Sequence, residues 1–174
     1  MEFRIPFSGR GHNYTESEIS TVVDVMKSAV PLTQGYYLDQ FETRFKEFSG
    51  SKFAFGVNNA TSGLEIAAQL CQLEQDDEVI IPSHTFTSSA YPFAKTGARI
   101  VWADIDLDTR VVTPQTIVPC LTNKTRVVVV PHLYGYGADM LGIMELAQRH
   151  NLFVVEDAAQ VLGVLIDGKM AGTF

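Results

Sequence analysis

Cysteine is scarce. Cys71 and Cys120 are the two in 174 residues, they lie far apart in sequence, and both sit among apolar residues. Buried free thiols are expected, not a disulfide framework. Positive charge is short as well: 13 Lys and Arg stand against 20 Asp and Glu, a net charge of −7. Binding a nucleic-acid backbone needs a basic excess to displace counterions, so no nucleic-acid partner is expected. One small phosphorylated ligand stays admissible, because an acidic protein can be locally positive. Long apolar runs are missing too. The strongest, such as Val127 to Pro131, fall far short of the ~20 residues that span a bilayer, so no membrane partner is expected. The N-terminus, Met1 to Tyr14, has no apolar run with a cleavage site, so no secretory signal is read there. The sequons at Asn13, Asn59 and Asn123 are then chance matches, and the expected location is cytoplasmic.

Several catalytic motifs are also lacking. No G-x-G-x-x-G follows the first strand, no P-loop occurs, and no G-x-S-x-G elbow is present. His12, His84, His132 and His150 form no i,i+4 pair, and the cysteines lack metal-ligand spacing, so no metal is expected.

What is present is ordinary globular composition, 46% hydrophobic and 19% charged, long enough for one real core. Thr15-Glu-Ser-Glu18 is a capping box, followed by Val22, Val23, Met26 and Val30 at helical spacing. A second helix carries Leu38, Phe41, Phe45 and Phe48 and stops at Gly50. Strands are then expected at Phe53–Val57, Glu78–Ile81, Arg99–Ala103, Arg126–Val130 and Leu152–Val155. Between them come helices at Thr61–Leu73, near Ser88–Thr96, after Pro114, and around Met140–His150. Val161 to Phe174 reads as a hairpin turning at Asp167-Gly168. Strands apolar on both faces, alternating with helices, specify a three-layer α/β/α fold with a mostly parallel sheet. Residues 1–50 read as a helical segment and 51–174 as the ligand-binding domain.

Ligands in such sheets bind beyond the carboxyl ends of the strands. Four polar stretches fall there, Asn58 to Gly63, Ser83 to Thr87, His132 to Gly135 and Glu156 to Gln160, and three of them carry candidate residues. Asn58 to Gly63 opens a helix, where free N–H groups and the dipole favour an anion; a plain Asn/Thr cap is the simpler reading. Asp157 follows a buried strand, where a carboxylate pairs with a protonated ring nitrogen or simply caps. Phe86 ends another strand, where an aromatic stacks on a flat ligand or packs in the core.

Taken together, Asn58 to Leu64, Asp77 to Phe86, Asp104 to Thr109, His132 to Gly135, Val154 to Gln160 and Gly168 to Phe174 resemble the motif series of the DegT/DnrJ/StrS-type nucleotide-sugar aminotransferases. The resemblance covers nearly the whole chain. It implies fold type I, the aspartate-aminotransferase-like fold, with this chain as the N-terminal part of the large pyridoxal-phosphate (PLP) domain. It implies a sheet ordered 3-2-4-5-6-7-1 with strand 7 antiparallel, of which this chain supplies strands 1 to 5 and leaves strand 1, residues 53–57, without a neighbour.

The implied roles are these. Backbone N–H groups of Thr61 and Ser62 hold the PLP phosphate, Phe86 stacks on the ring, Asp157 pairs with the ring nitrogen as the catalytic carboxylate, and Gln160 meets the phenolic oxygen. His132 and Tyr134 lie on the sugar side. Ala60 replaces the usual Gly, which costs little where φ is negative. The Schiff-base lysine belongs to a stretch beyond Phe174, so the chain alone is expected to be inactive. The implied activity of the longer protein is amino transfer from an amino acid, glutamate by expectation, to a nucleotide-linked keto-sugar, with the cofactor cycling between PLP and PMP. Amino-sugar biosynthesis for lipopolysaccharide or a natural product, in a homodimer, is the implied setting. Two alternatives remain at this point: a sugar 3-dehydratase of the same family, which has histidine in place of the lysine, and a non-catalytic remnant.

Overall fold

The structure, a computed structural model, describes residues 13–31 and 33–174. Most of the stretch read as lacking a secretory signal, and His12, lie outside the described residues. The chain divides into two compact units, Met1–Arg44 and Phe45–Phe174. No helix among the described residues is long and apolar enough to cross a membrane.

In the first unit, α1 spans Glu16–Ser28 and opens on the expected capping box. The Thr15 hydroxyl accepts the Glu18 N–H at 3.3 Å, and the Glu18 carboxylate accepts the Thr15 N–H at 2.7 Å. α2 runs Tyr36–Ser49, ending in the second unit at Gly50, whose φ of +71° suits glycine. Near its start the Tyr37 hydroxyl donates to Asp24 at 3.1 Å. No residue of α1 is buried, so its apolar stripe is exposed.

The second unit carries α3 (Ala60–Leu70), β1 (Glu78–Pro82), α4 (Tyr91–Lys95), β2 (Arg99–Ala103), α5 (Pro114–Ile117), β3 (Thr125–Pro131), α6 (Met140–His150) and β4 (Phe153–Asp157). The strands are all parallel, in the order β2-β1-β3-β4. This is the 3-2-4-5 portion of the expected sheet. Alternation along the strands sorts the core into two layers. Val79, Ile81, Val127 and Val129 pack with Ala68 of α3 and Phe93 of α4. Ile80, Val128 and Val130 pack with Ile117 of α5 and Met140, Ile143 and Leu146 of α6. Helices therefore cover both faces, as the doubly apolar strands require. A hairpin of β5 (Leu165–Ile166) and β6 (Lys169–Met170) turns at Asp167 and Gly168, whose φ values of +49° and +82° fit a primed two-residue turn.

Three expectations need correction. Phe53–Val57 is not a strand: it joins no ladder, and β4 pairs with β3 alone. The rings of Phe53 and Phe55 stack at 6.5 Å, as i,i+2 side chains do on extended chain, but both are exposed. The Phe53 carbonyl accepts the Ser51 hydroxyl at 2.9 Å, but no ladder runs along the segment, and a strand requires one. The helix expected near Ser88–Thr96 is split into a 3-10 turn, Thr87–Ser89, and α4. Both cysteines are free but half-buried, not buried.

Candidate functional site

A concave pocket of about 310 Å³ lies at the carboxyl ends of β1, β3 and β4. Ala60, Thr61, Phe86, Ser89, Asp157 and Gln160 are among its walls. The end of a parallel sheet is where strands stop and polar side chains can gather without breaking the core.

One end is the start of α3. Asn59 is the N-cap, and its side-chain oxygen accepts the Ser62 N–H at 2.9 Å. The Gly63 N–H turns to the Asn59 carbonyl at 3.4 Å. Among the described residues, the N–H groups of Ala60 and Thr61 take no acceptor from the chain. The donors offered to an anion are therefore those of Ala60 and Thr61, while that of Ser62 is held by the cap. Ala60 has no positive φ, so it takes the helical start without the glycine usual there. The Thr61 hydroxyl donates to Ser88 Oγ at 2.8 Å.

The floor is Asp157, the last residue of β4, opposite Pro131 of β3. Its Oδ2 accepts the Ser89 hydroxyl at 2.6 Å and its Oδ1 accepts the Ala159 N–H at 3.3 Å. Its carbonyl accepts the His132 N–H at 3.1 Å, which extends the ladder by one bond. The side wall is Phe86, whose ring is 65% exposed. Gln160 lies beside Asp157, with its Oε1 accepting the Tyr134 N–H at 2.6 Å.

His132 sits in the wall with its side chain enclosed. Its Nδ1 accepts the Ala138 N–H at 3.1 Å, so the ring proton is on Nε2, which donates to Glu156 at 3.0 Å. The ring thus braces the loop after β3 against β4, with both nitrogens engaged. Tyr134 is exposed outside the pocket lining, its φ is +56°, and its ring lies 6.0 Å from that of His84. Thr61, Phe86, Asp157, Gln160 and His132 are brought together; Ser62 and Tyr134 are not among the lining residues.

Sequence reasoning placed Glu156 in a polar stretch at a strand end without giving it a role, and it passed over Ser88 and Ser89. Glu156 accepts from His132, from the Gly172 N–H at 2.8 Å and from the Phe174 N–H at 2.7 Å. Burial alone would raise its pKa, but these donors hold the carboxyl below the ordinary glutamate value. Gly172 is required where it stands: its φ is +90°, and a Cβ would fall 2.8 Å from that of Ala158. A charged residue directly after an apolar run, Phe153 to Val155, was the available signal for Glu156. Ser88 and Ser89 gave no such signal, because the 3-10 turn that aims them was read as helix.

Residues 12–174 match the DegT/DnrJ/EryC1/StrS aminotransferase family. The chain belongs to that family. Members similar to it include the dTDP-3-amino-3,4,6-trideoxy-alpha-D-glucose transaminase of Streptomyces venezuelae, 35% identical over 97% of this chain and 45% of that protein. The crystal structure of an aminotransferase from Psychrobacter cryohalolentis superposes with a TM-score of 0.87, at 38% identity, over 95% of this chain and 42% of that one. NtdA of Bacillus subtilis, solved with bound cofactor PMP, gives a TM-score of 0.80 at 29% identity over 90% of this chain and 37% of that one. The chain therefore spans less than half the length of each. The three-layer fold expected from the sequence is the fold of these family members.

Proposed function

We propose that this chain is the PLP-holding portion of an aminotransferase that moves an amino group from an amino acid, glutamate in our reading, to a keto-sugar carried on a nucleotide. The observation that carries the reading is one pocket joining three features: free N–H groups at a helix start, an exposed aromatic wall, and a carboxylate on the floor. That donor set fits a flat, anionic, nitrogen-containing ring compound, and the volume suits a small cofactor. Family membership, the transaminase name of the Streptomyces relative and the PMP in NtdA support the same choice.

When bound, PLP supplies an electron sink for a carbanion at the amino-acid Cα. The chain's own residues do the rest. The Ala60 and Thr61 N–H groups and the α3 dipole hold the phosphate. Phe86 would cover one ring face. Asp157 would keep a proton on the ring nitrogen, and Gln160 would meet the phenolic oxygen. His132 braces the wall, and Tyr134 is left for the sugar side. No lysine is among the lining residues, and this reading assigns that amine to sequence following Phe174 in a longer protein. There, residues 51–174 are part of the large domain behind a helical segment 1–50, in a cytoplasmic homodimer serving amino-sugar biosynthesis, lipopolysaccharide included.

Equilibrium titration with PLP tests the reading. In the full-length enzyme, Asp157→Asn is expected to lower turnover about 10²-fold or more while changing PLP affinity little, because the phosphate contacts supply most of the grip. Near wild-type turnover in that variant would remove Asp157 from its role.

A further inference from the structure

Asp157 is not held by backbone alone. A serine hydroxyl has a single proton. The Ser89 proton is committed to Asp157 Oδ2, 2.6 Å away. At the 2.8 Å contact between Thr85 and Ser89, Thr85 must therefore be the donor. The three side chains form a directed relay, Thr85 to Ser89 to Asp157. They come from the loop after β1, the 3-10 turn and the end of β4. Ser89 is 1% exposed, so water does not compete for its hydroxyl. A buried, charge-assisted bond of this length is among the strong ones, and a second donor behind it strengthens it further.

The geometry has a directional consequence. With Ser89 on Oδ2 and the Ala159 N–H on Oδ1, the carboxylate cannot rotate freely about its last bond. What it still offers is its remaining lone pairs, and it borders the pocket. The neighbouring serine does parallel work: Ser88 accepts from Thr61 at the start of α3. Adjacent residues of one short turn thus tie both ends of the pocket.

We propose that Ser89, backed by Thr85, is the positioning residue for Asp157: it fixes the carboxylate's orientation, so that a proton shared with a bound ring nitrogen stays on the nitrogen. The proposal rests on the cofactor reading above.

The test uses the full chain and PLP labelled with 15N in the ring, whose resonance reports whether that nitrogen carries a proton. The wild-type chain should show the protonated position at neutral pH. Ser89→Ala should move the resonance toward the unprotonated position and lower the pH at which the nitrogen loses its proton. PLP affinity should change by less than about threefold. Ser89→Thr keeps the hydroxyl and should restore the wild-type signal; Thr85→Ala should shift it partway. Should Ser89→Ala fail to fold, the Thr85→Ala shift decides. A wild-type resonance in Ser89→Ala, with Asp157→Asn shifted, overturns the role of Ser89 and leaves the cofactor reading standing. An equal shift in Ser89→Thr and Ser89→Ala overturns it too, by reducing the effect to packing. No shift in Asp157→Asn, or no PLP binding by the wild-type chain, overturns the cofactor reading and this proposal with it.

Discussion

The strands of the sheet and the first helix are both written in aliphatic residues, yet they end in opposite environments. Val79, Ile81, Val127 and Val129 are fully buried, whereas Val22, Val23 and Met26 are 60%, 40% and 76% exposed. Both elements carry the correct period, and α1 even has a complete capping box. Periodicity and caps decide what an element is, since they act within a few residues. Burial depends on neighbours brought from elsewhere in the sequence. The sheet has its neighbours on both faces; among the described residues, none buries α1. Residues 53–57 fall on the same side of this divide as α1.

Mutating the two classes should separate them most sharply. Phe93→Ala opens a cavity under β1 and β3 and is expected to cost about 3–5 kcal/mol, whereas Met26→Ala should stay within about 0.5 kcal/mol. Chemical denaturation measures both. Equal costs would mean that α1 is covered in solution.

A smaller effect is expected at Glu156. Glu156→Ala leaves the His132 Nε2–H and the Gly172 and Phe174 N–H groups without their acceptor, for a loss of about 3 kcal/mol. The pH dependence has a definite sign. The folded-state pKa of Glu156 is depressed below the ordinary 4.5, so its contribution is present above that value and is lost as pH falls through the lower folded value. Glu156→Gln should flatten that acid loss in denaturation curves taken on either side of pH 4.5. Some slope should survive, because Thr109 also holds Asp106 below its ordinary value. An unchanged acid slope would mean that the buried hub carries none of it.

The sheet was legible because each strand is an uninterrupted apolar run between helical stretches, and the hairpin because Asp-Gly demands its turn. Motif order singled out Thr61, Phe86, Asp157 and Gln160, and all four line one pocket. The fate of Phe53–Val57 was not readable from its own residues, since a ladder requires a partner. Nor was the enclosure of His132, which depends on Ala138 and Glu156 meeting it from other segments. The Ser89 relay was hidden because hydroxyl direction follows from one turn of 3-10 geometry that composition does not encode.

A lesser effect belongs to the exposed side. Thr15→Ala removes the α1 cap and should cost that helix about 1 kcal/mol, visible as faster amide exchange in 16–20 with the sheet amides unchanged. Slowing of the sheet amides would be unexplained; acceleration there would show that α1 and the sheet unfold together.

The smallest expected signal is none at all. Borohydride reduction of the chain with PLP should leave no stoichiometric pyridoxyl adduct on any one lysine, since no lysine lines the pocket and Lys95 and Lys169 are engaged by Glu65 and the Phe174 ring. Mass spectrometry of the digested protein reads this directly, and a full adduct on one specific lysine of the folded chain would contradict it.

Amide resonances of the 15N-labelled chain during PLP titration test the central claim most directly. The account predicts shifts at Ala60 and Thr61, around Phe86, and from Asp157 to Gln160, with those of α1 unmoved. Shifts confined to α1 and α2, or none at the start of α3 and the end of β4, would contradict it.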